Sequence, residues 1–483
     1  MQQSNPTEQD PAFRGLIGVG RHDMTPEPGI YCHMWGSATH DQAESIHRPL
    51  HATAICLQNE ARDRRIVIAT IDYCWFPSYR TVEELCAPIR ARFSLERHEL
   101  LLVVTHSHSV PQVDPEFESR PGGDKIPAFR AKLHLALQHA VRDAFESAEP
   151  AILSWARGHC ALARTRDFPD PDSGRILCGP NPAGTPDHTL MVGRATSLAS
   201  GGTLATIVNY ACHPVSLGGG NRSVSPDYIG AMSEIVERET GGAPCLFLHG
   251  PSGNQTPRDC YAADPAVADA NGAILGHAAL SALHGMLPPG KSLEFKGPQS
   301  SGAPLAIWEA RRADVDTALE SRVTYARLPA KSWPTVAEID QAIATAPDRA
   351  AWTRMTRLRQ FVVNLAEGLG NGFPIWAVRM GGAVLIGVPA EAFTDLQVEL
   401  RRRFPDLAVI VTNDTNGTYN YLPPAAYYGN GAYEQDCADF GPGALEIVTM
   451  EAARLIQEMT EGTRGAAPQR RQAAARQDSY TWT

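Results

Sequence analysis

The stretch that decides the fold is "LLVVTHSHSV", Leu101–Val110. Four consecutive aliphatics, Leu101 to Val104, are too continuous for a half-exposed strand and too few for a helix, so they read as a strand buried on both faces. Thr105, His106, Ser107 and His108 then stand where that strand leaves its sheet. In open α/β sheets ligands bind in the crevice beyond the carboxyl ends of the strands. One of the two histidines, and not both, is expected to face a shared site. The competing reading is a pair of imidazoles satisfied by backbone carbonyls.

The same grammar recurs. "RRIVIATIDYCWF", "TLATIVNYACHP", "APCLFLHGPSG", "AVLIGVPAEAF" and "LAVIVTNDTNG" are each a short β-rich run followed by a turn of small or polar residues. Helix-compatible stretches lie between them, at Ala128–Ser147 and after Ser225-Pro226-Asp227, where helix-start chemistry leads into "YIGAMSEIVERETGG". The alternation predicts an α/β protein with a mixed β-sheet core and flanking helices. Residues 302–368, with "ARRADVDTALESRV" and "AAWTRMTRLRQFVVNLAEGL", read as a helical insertion in a catalytic unit spanning 15–461. Residues 1–14 are expected to be flexible and the tail 462–483 disordered.

Composition removes several function classes. At 483 residues and 43% hydrophobic the chain can bury one large core or two ordinary ones. A net charge of -10 without a sustained basic stripe outside the tail argues against nucleic acid. No segment carries about 18 uninterrupted apolar residues, and the polar N-terminus "MQQSNPTEQDPAFRG" lacks the apolar core of a secretory signal, so a cytoplasmic protein without an integral membrane segment is expected. Ten cysteines without Cys-x-x-Cys spacing read as reduced and mostly buried. A homo-oligomer is left open.

Chemistry collects at the strand ends. His213 precedes Pro214 and a glycine run. Glu391 follows a Val-Pro turn, where an acid could equally compensate a helix dipole. Tyr419, Tyr421, Tyr427, Tyr428 and Tyr433 crowd a Gly/Pro/Asn-rich segment. Two histidines, a carboxylate and phenols at the ends of separate strands make a donor set that suits Zn²⁺. Other schemes fit worse: Val110 stands where binuclear His-x-His-x-Asp-His hydrolases need an acid, no His-Glu-x-x-His occurs, and "GPSGNQTP" lacks the lysine of a phosphate loop.

From "GVGRHDMTPEPG" through "IHRPLHATAICL", "VVTHSHSVP", "NYACHPVSL", "FLHGPSGNQTP" and "GVPAEAF" to "YNYLPPAAYYGNGAYE", the chain resembles the neutral/alkaline non-lysosomal ceramidases and their bacterial relatives, over about residues 15–460. The resemblance implies the fold of that family's catalytic domain and a zinc held by His106, His213, Glu391 and Tyr421. It implies catalytic roles for His108 and Tyr433, the latter twelve residues after the ligand tyrosine, and for an arginine matched by Arg164, with Arg166 as the alternative. The activity implied is hydrolysis of an N-acyl amide, either ceramide in lipid metabolism or a smaller soluble compound. An esterase or lactonase would use the same parts, and a metal-binding protein without turnover is the alternative from another class. The sequence departs from secreted ceramidases in lacking a signal peptide and the extra C-terminal β-sandwich, and in carrying Asn254 where relatives have Asp, which bears on a second cation there.

Overall fold

The computed structural model describes residues 6–368, 372–417 and 419–461. An eight-stranded mixed sheet contains, in chain order, β1 (Ala12–Asp23), β2 (His51–Gln58), β3 (Arg65–Ile71), β4 (Leu100–Val104), β5 (Glu149–His159), β6 (Thr189–Ser197), β7 (Thr203–Tyr210) and β8 (Cys245–His249). Their order across the sheet is β8-β7-β6-β5-β1-β2-β3-β4. A second sheet of four strands runs β9 (Leu319–Ala326), β10 (Phe373–Met380), β11 (Ala383–Gly387) and β12 (Ala408–Thr412). Parallel neighbours occur at β3/β4, β7/β8 and β11/β12.

The buried clusters define four layers. Phe13, Ile55, Ile68, Leu101, Leu153 and Leu248 of the larger sheet pack with Trp376, Val378, Leu385 and Ile410 of the smaller one, so the two sheets lie face to face. Helices α1 (Tyr79–Phe93) and α2 (Ile126–Glu146) cover one half of the larger sheet's outer face, and α3 (Tyr228–Glu239) and α4 (Pro265–His284) the other. Beyond α5 (Val336–Ala344), α6 (Arg349–Gly368), α7 (Asp395–Arg403) and α8 (Ala444–Glu461) pack on the smaller sheet. β4 shows why its sequence is apolar throughout: Leu100, Leu102 and Val104 face the helices, while Leu101 and Val103 face the second sheet. Its outer edge is closed by Asn416, whose Oδ1 accepts from Leu102 N at 2.8 Å and whose Nδ2 donates to Leu100 O at 2.9 Å.

Three expectations are corrected. The stretch 302–326 is not helical: Lys291–Gln299 and Leu305–Arg312 form an antiparallel hairpin, β9 edges the smaller sheet, and helices begin only at Val336. Leu319 and Val323, four apart, share a face in a helix and in a strand alike, so their spacing could not discriminate. Residues 6–14 are built in rather than loose, because Thr7–Glu8 pairs with Lys291–Gln299 and Phe13 is fully buried in β1. The third concerns the histidine pair and is taken up below. The tail 462–483 lies outside the described residues. All ten cysteines are free thiols.

Candidate active site

Both sheets deliver their chemistry at the same end. Past Val104 the chain turns sharply: His106 takes φ +67°, uncommon for a residue with a side chain, while its N–H donates to Tyr73 O at 2.7 Å. Ser107 Oγ donates to Ser225 O at 2.7 Å and fastens the turn to the loop that starts α3. That loop also fixes His213. Asp227, the N-cap of α3, accepts from Tyr228 N and Leu217 N, and His213 N donates to Gln255 O at 3.2 Å.

The expectation that only one histidine of the pair reaches the site is wrong. Residues two apart on a strand share a face, and here the chain has already left the strand. His106 lies with ring centroids 5.1 Å from His108 and 4.6 Å from His213. His106 and His213 are buried; His108 is partly open, and its Nε2 stands 3.2 Å from His213 Nε2.

Glu391 arrives from the smaller sheet. It does not begin a helix, since α7 starts four residues later at Asp395; it pairs side by side with Tyr421 in a two-residue parallel ladder. Its N–H donates to Asn420 O at 3.0 Å, and Asn420 is clamped by Asp439 through bonds of 2.6 and 2.8 Å. Gly253 packs so closely behind that a Cβ there would lie 2.6 Å from Glu391 O.

The donor atoms converge. Glu391 Oε2 lies 3.6 Å from His106 Nε2 and 3.8 Å from His213 Nε2. Tetrahedral ligation at about 2.0–2.2 Å puts neighbouring ligand atoms roughly 3.3–3.6 Å apart. His106 Nε2 and Glu391 Oε2 have no hydrogen-bond partner among the described residues, an arrangement costly in a buried site unless something else binds them. These three residues therefore fit a metal ion. Tyr421 adds a phenol that is hydrogen-bonded to Glu391. Two overlapping groups, Cys74/His106/His108 and His106/His249/Asp414, also bring potential ligand atoms within 4.8 Å of one another.

Asp414 and His249 escaped the reading of the sequence. Asp414 Oδ2 lies 3.0 Å from His106 Nδ1 and 3.2 Å from His249 Nδ1, and His249 Nε2 shares a 2.6 Å hydrogen bond with Ser252 Oγ. A carboxylate on Nδ1 leaves Nε2 free to ligate. Their signal was present: "CLFLHG" and "VIVTND" end like the other strands. Electrostatics follow the layout. Burial would raise Asp414, but His106 and His249 hold it down at about 2. Burial disfavours the charged form of His106, yet Asp414 and Glu391 raise it overall. His108 is held well below its ordinary value by burial and by the positive charges around it, so its neutral, proton-accepting form is favoured.

The arginine preferred from sequence stands elsewhere. Arg164 Nη1 donates to the carbonyls of Ala161 and Ala163, whereas buried Arg166 donates from Nη2 to Tyr421 OH at 3.1 Å and pairs with Glu434 at 2.8 Å. The register shifts between Thr165 and Asp167 and breaks the alternation that would give both arginines one face. Tyr433 lies at the surface, 40% exposed, with its ring 5.8 Å from Tyr421. Tyr419 instead packs in an aromatic cluster with Tyr79, Phe373 and Phe440. The Asn254 amide is held by Thr394, donating to its Oγ1 at 2.9 Å and accepting from its N at 3.0 Å.

Residues 16–246 match the family model described as neutral/alkaline non-lysosomal ceramidase, N-terminal. The matched region includes His106, His108 and His213. The fold agrees along nearly the whole chain: the neutral ceramidase of Pseudomonas aeruginosa superposes with a TM-score of 0.62 at 17% identity, covering 97% of this chain and 77% of that one. A ceramidase complexed with C2 gives 0.63 at 17% identity and the same coverage. No curated protein matches the sequence. No helix among the described residues is long and apolar enough to cross a membrane.

Proposed function

We propose that the chain is a zinc-dependent hydrolase of N-acyl amides, with the ion held by His106, His213, Glu391 and Tyr421. The observation that carries this reading is the convergence of buried, unpartnered donor atoms from both sheets on one point. Bound there, zinc would supply Lewis acidity, polarising a carbonyl oxygen and lowering the pKa of a water molecule.

The chain's own residues do the rest. His108 has an unpartnered Nδ1 and a favoured neutral form, so it accepts the proton of the attacking water and later returns it to the departing amine. Tyr433, its ring 5.8 Å from that of Tyr421, donates a hydrogen bond to the oxyanion that develops on the carbonyl. Arg166, in place of Arg164, holds the Tyr421 oxygen and favours its ionised form against the burial that opposes it. Beside His108 the cavity bounded by Met34, Trp35, His40 and Asn221 measures only about 10 Å³, room for about one water. An ester in place of the amide would use the same groups.

The test is metal analysis of the purified protein followed by a panel of N-acyl amides, matched esters and ceramides. About one zinc per chain and cleavage of amides support the proposal. Zinc without cleavage across the panel points to a binding protein, and ester cleavage alone to an esterase or lactonase.

A further inference from the structure

Around His108 stand a cation without a carboxylate partner among the described residues and a buried donor without an acceptor. Arg357, from α6, stacks its guanidinium 4.5 Å from the ring centroid of Trp75 and donates from Nη2 to Met34 O. It pairs with no carboxylate among the described residues and is half-buried. Its neighbours in α6 behave differently, since Arg349 pairs with Asp41 and Arg359 with Asp340. Next to Met34, Trp35 stands 5.0 Å from the His108 ring, and its buried Nε1 donor finds no acceptor. Trp75 closes the other side of His108 at 5.5 Å. In a chain of net charge -10, a guanidinium without a carboxylate partner, bonded to the residue before Trp35 and stacked on the ring that flanks His108, makes with the orphaned indole N–H an anion-binding arrangement.

We infer that Arg357, with Trp35 and Trp75, forms a carboxylate subsite, and that the substrate is a short N-acyl compound whose amine portion is anionic, as in an N-acyl amino acid. The inference rests on the proposed amidase reading. It assigns the charge to the amine side because the proposed proton donor to the leaving nitrogen is His108, and the subsite surrounds that residue.

The probes are N-hexanoylglycine and its neutral isostere N-hexanoylglycinamide, assayed with the zinc-loaded full chain. The wild type is expected to favour the acid by tenfold or more in kcat/KM. In Arg357→Gln that ratio collapses towards one, mainly through KM of the acid, and Arg357→Lys restores part of it. Equal rates on the two probes in the wild type, or a parallel fall on both in Arg357→Gln, overturn the subsite, the latter because it marks Arg357 as a clamp on the Met34 loop. Should the wild type cleave neither probe, the amidase reading fails separately. Calorimetric binding of N-hexanoylglycine then decides the subsite: binding lost in Arg357→Gln supports it, and equal or absent binding in both proteins overturns it.

Discussion

The two sheets bring different chemistry to one point. The eight-stranded sheet ends in nitrogen donors, with His106 and His108 after β4, His213 after β7 and His249 closing β8. The four-stranded sheet ends in oxygen, with Glu391 after β11, Asp414 after β12 and Tyr421 on the ladder beside Glu391. The two sets are linked by the bridge between Val103 and Thr415 and by Asn413 N, which donates to His249 O at 2.9 Å, and the apolar layer between the sheets sets their separation. A site on such a seam depends on packing as well as on ligands, which is a reason for an interior denser than an organic liquid to be retained there.

That contrast can be broken from either side. Replacing His106 or Glu391 by Ala removes a first ligand from opposite sheets, and each variant should lose zinc to a similar degree, by more than the 10–100-fold expected for an outer-shell partner. Zinc content by mass spectrometry after dialysis checks it; loss in one variant and retention in the other would place the ion within a single sheet's groups. Next in size is the seam itself. Leu101→Ala opens a cavity between the sheets and should cost about 2–5 kcal/mol by denaturant unfolding, and it should also weaken zinc binding. Leu102→Ala, on the helix side of the same strand, should cost a similar amount and leave the affinity for zinc nearer to the wild type.

Smaller effects sharpen the division of labour. Asp414→Asn should reduce zinc affinity by about 10–100-fold, because His106 loses the carboxylate that orients it. Tyr421→Phe should reduce zinc content, Tyr433→Phe should keep zinc and lower turnover, and Tyr419→Phe should do neither. His108→Ala should keep zinc and lose about a hundredfold or more in rate. The 3.2 Å approach of its Nε2 to His213 makes zinc content the deciding readout, since parallel loss of metal would make His108 a ligand. Arg164→Gln should have the least effect on turnover, its side chain being spent on nearby carbonyls.

Much of this layout is legible in the sequence, for a physical reason. A strand buried on both faces has no polar alternation, so "LLVV", "VLIG" and "VIV" announce themselves, and whatever follows them lies at a strand end. Asp414 and His249 share that signal; they were missed because a carboxylate that acts through another residue carries no spacing pattern of its own. The sequence leaves both Arg164 and Arg166 open because a register shift, invisible in sequence, decides which arginine turns inward. The strand at Leu319–Ala326 is ambiguous in sequence because four-residue spacing fits both periodicities, and only pairing with β10 settles it. Arg357 and Trp75 meet across nearly 300 residues through side chains alone, and no local pattern encodes such a contact.

The most direct test of the seam is the position of the metal. Crystals of the zinc-loaded protein, measured at the zinc absorption edge, should give one anomalous peak per chain within about 2.0–2.3 Å of His106 Nε2, His213 Nε2, a Glu391 carboxylate oxygen and the Tyr421 oxygen. A peak centred instead on His249 and Asp414, or a chain that binds no zinc at that point, would contradict the account.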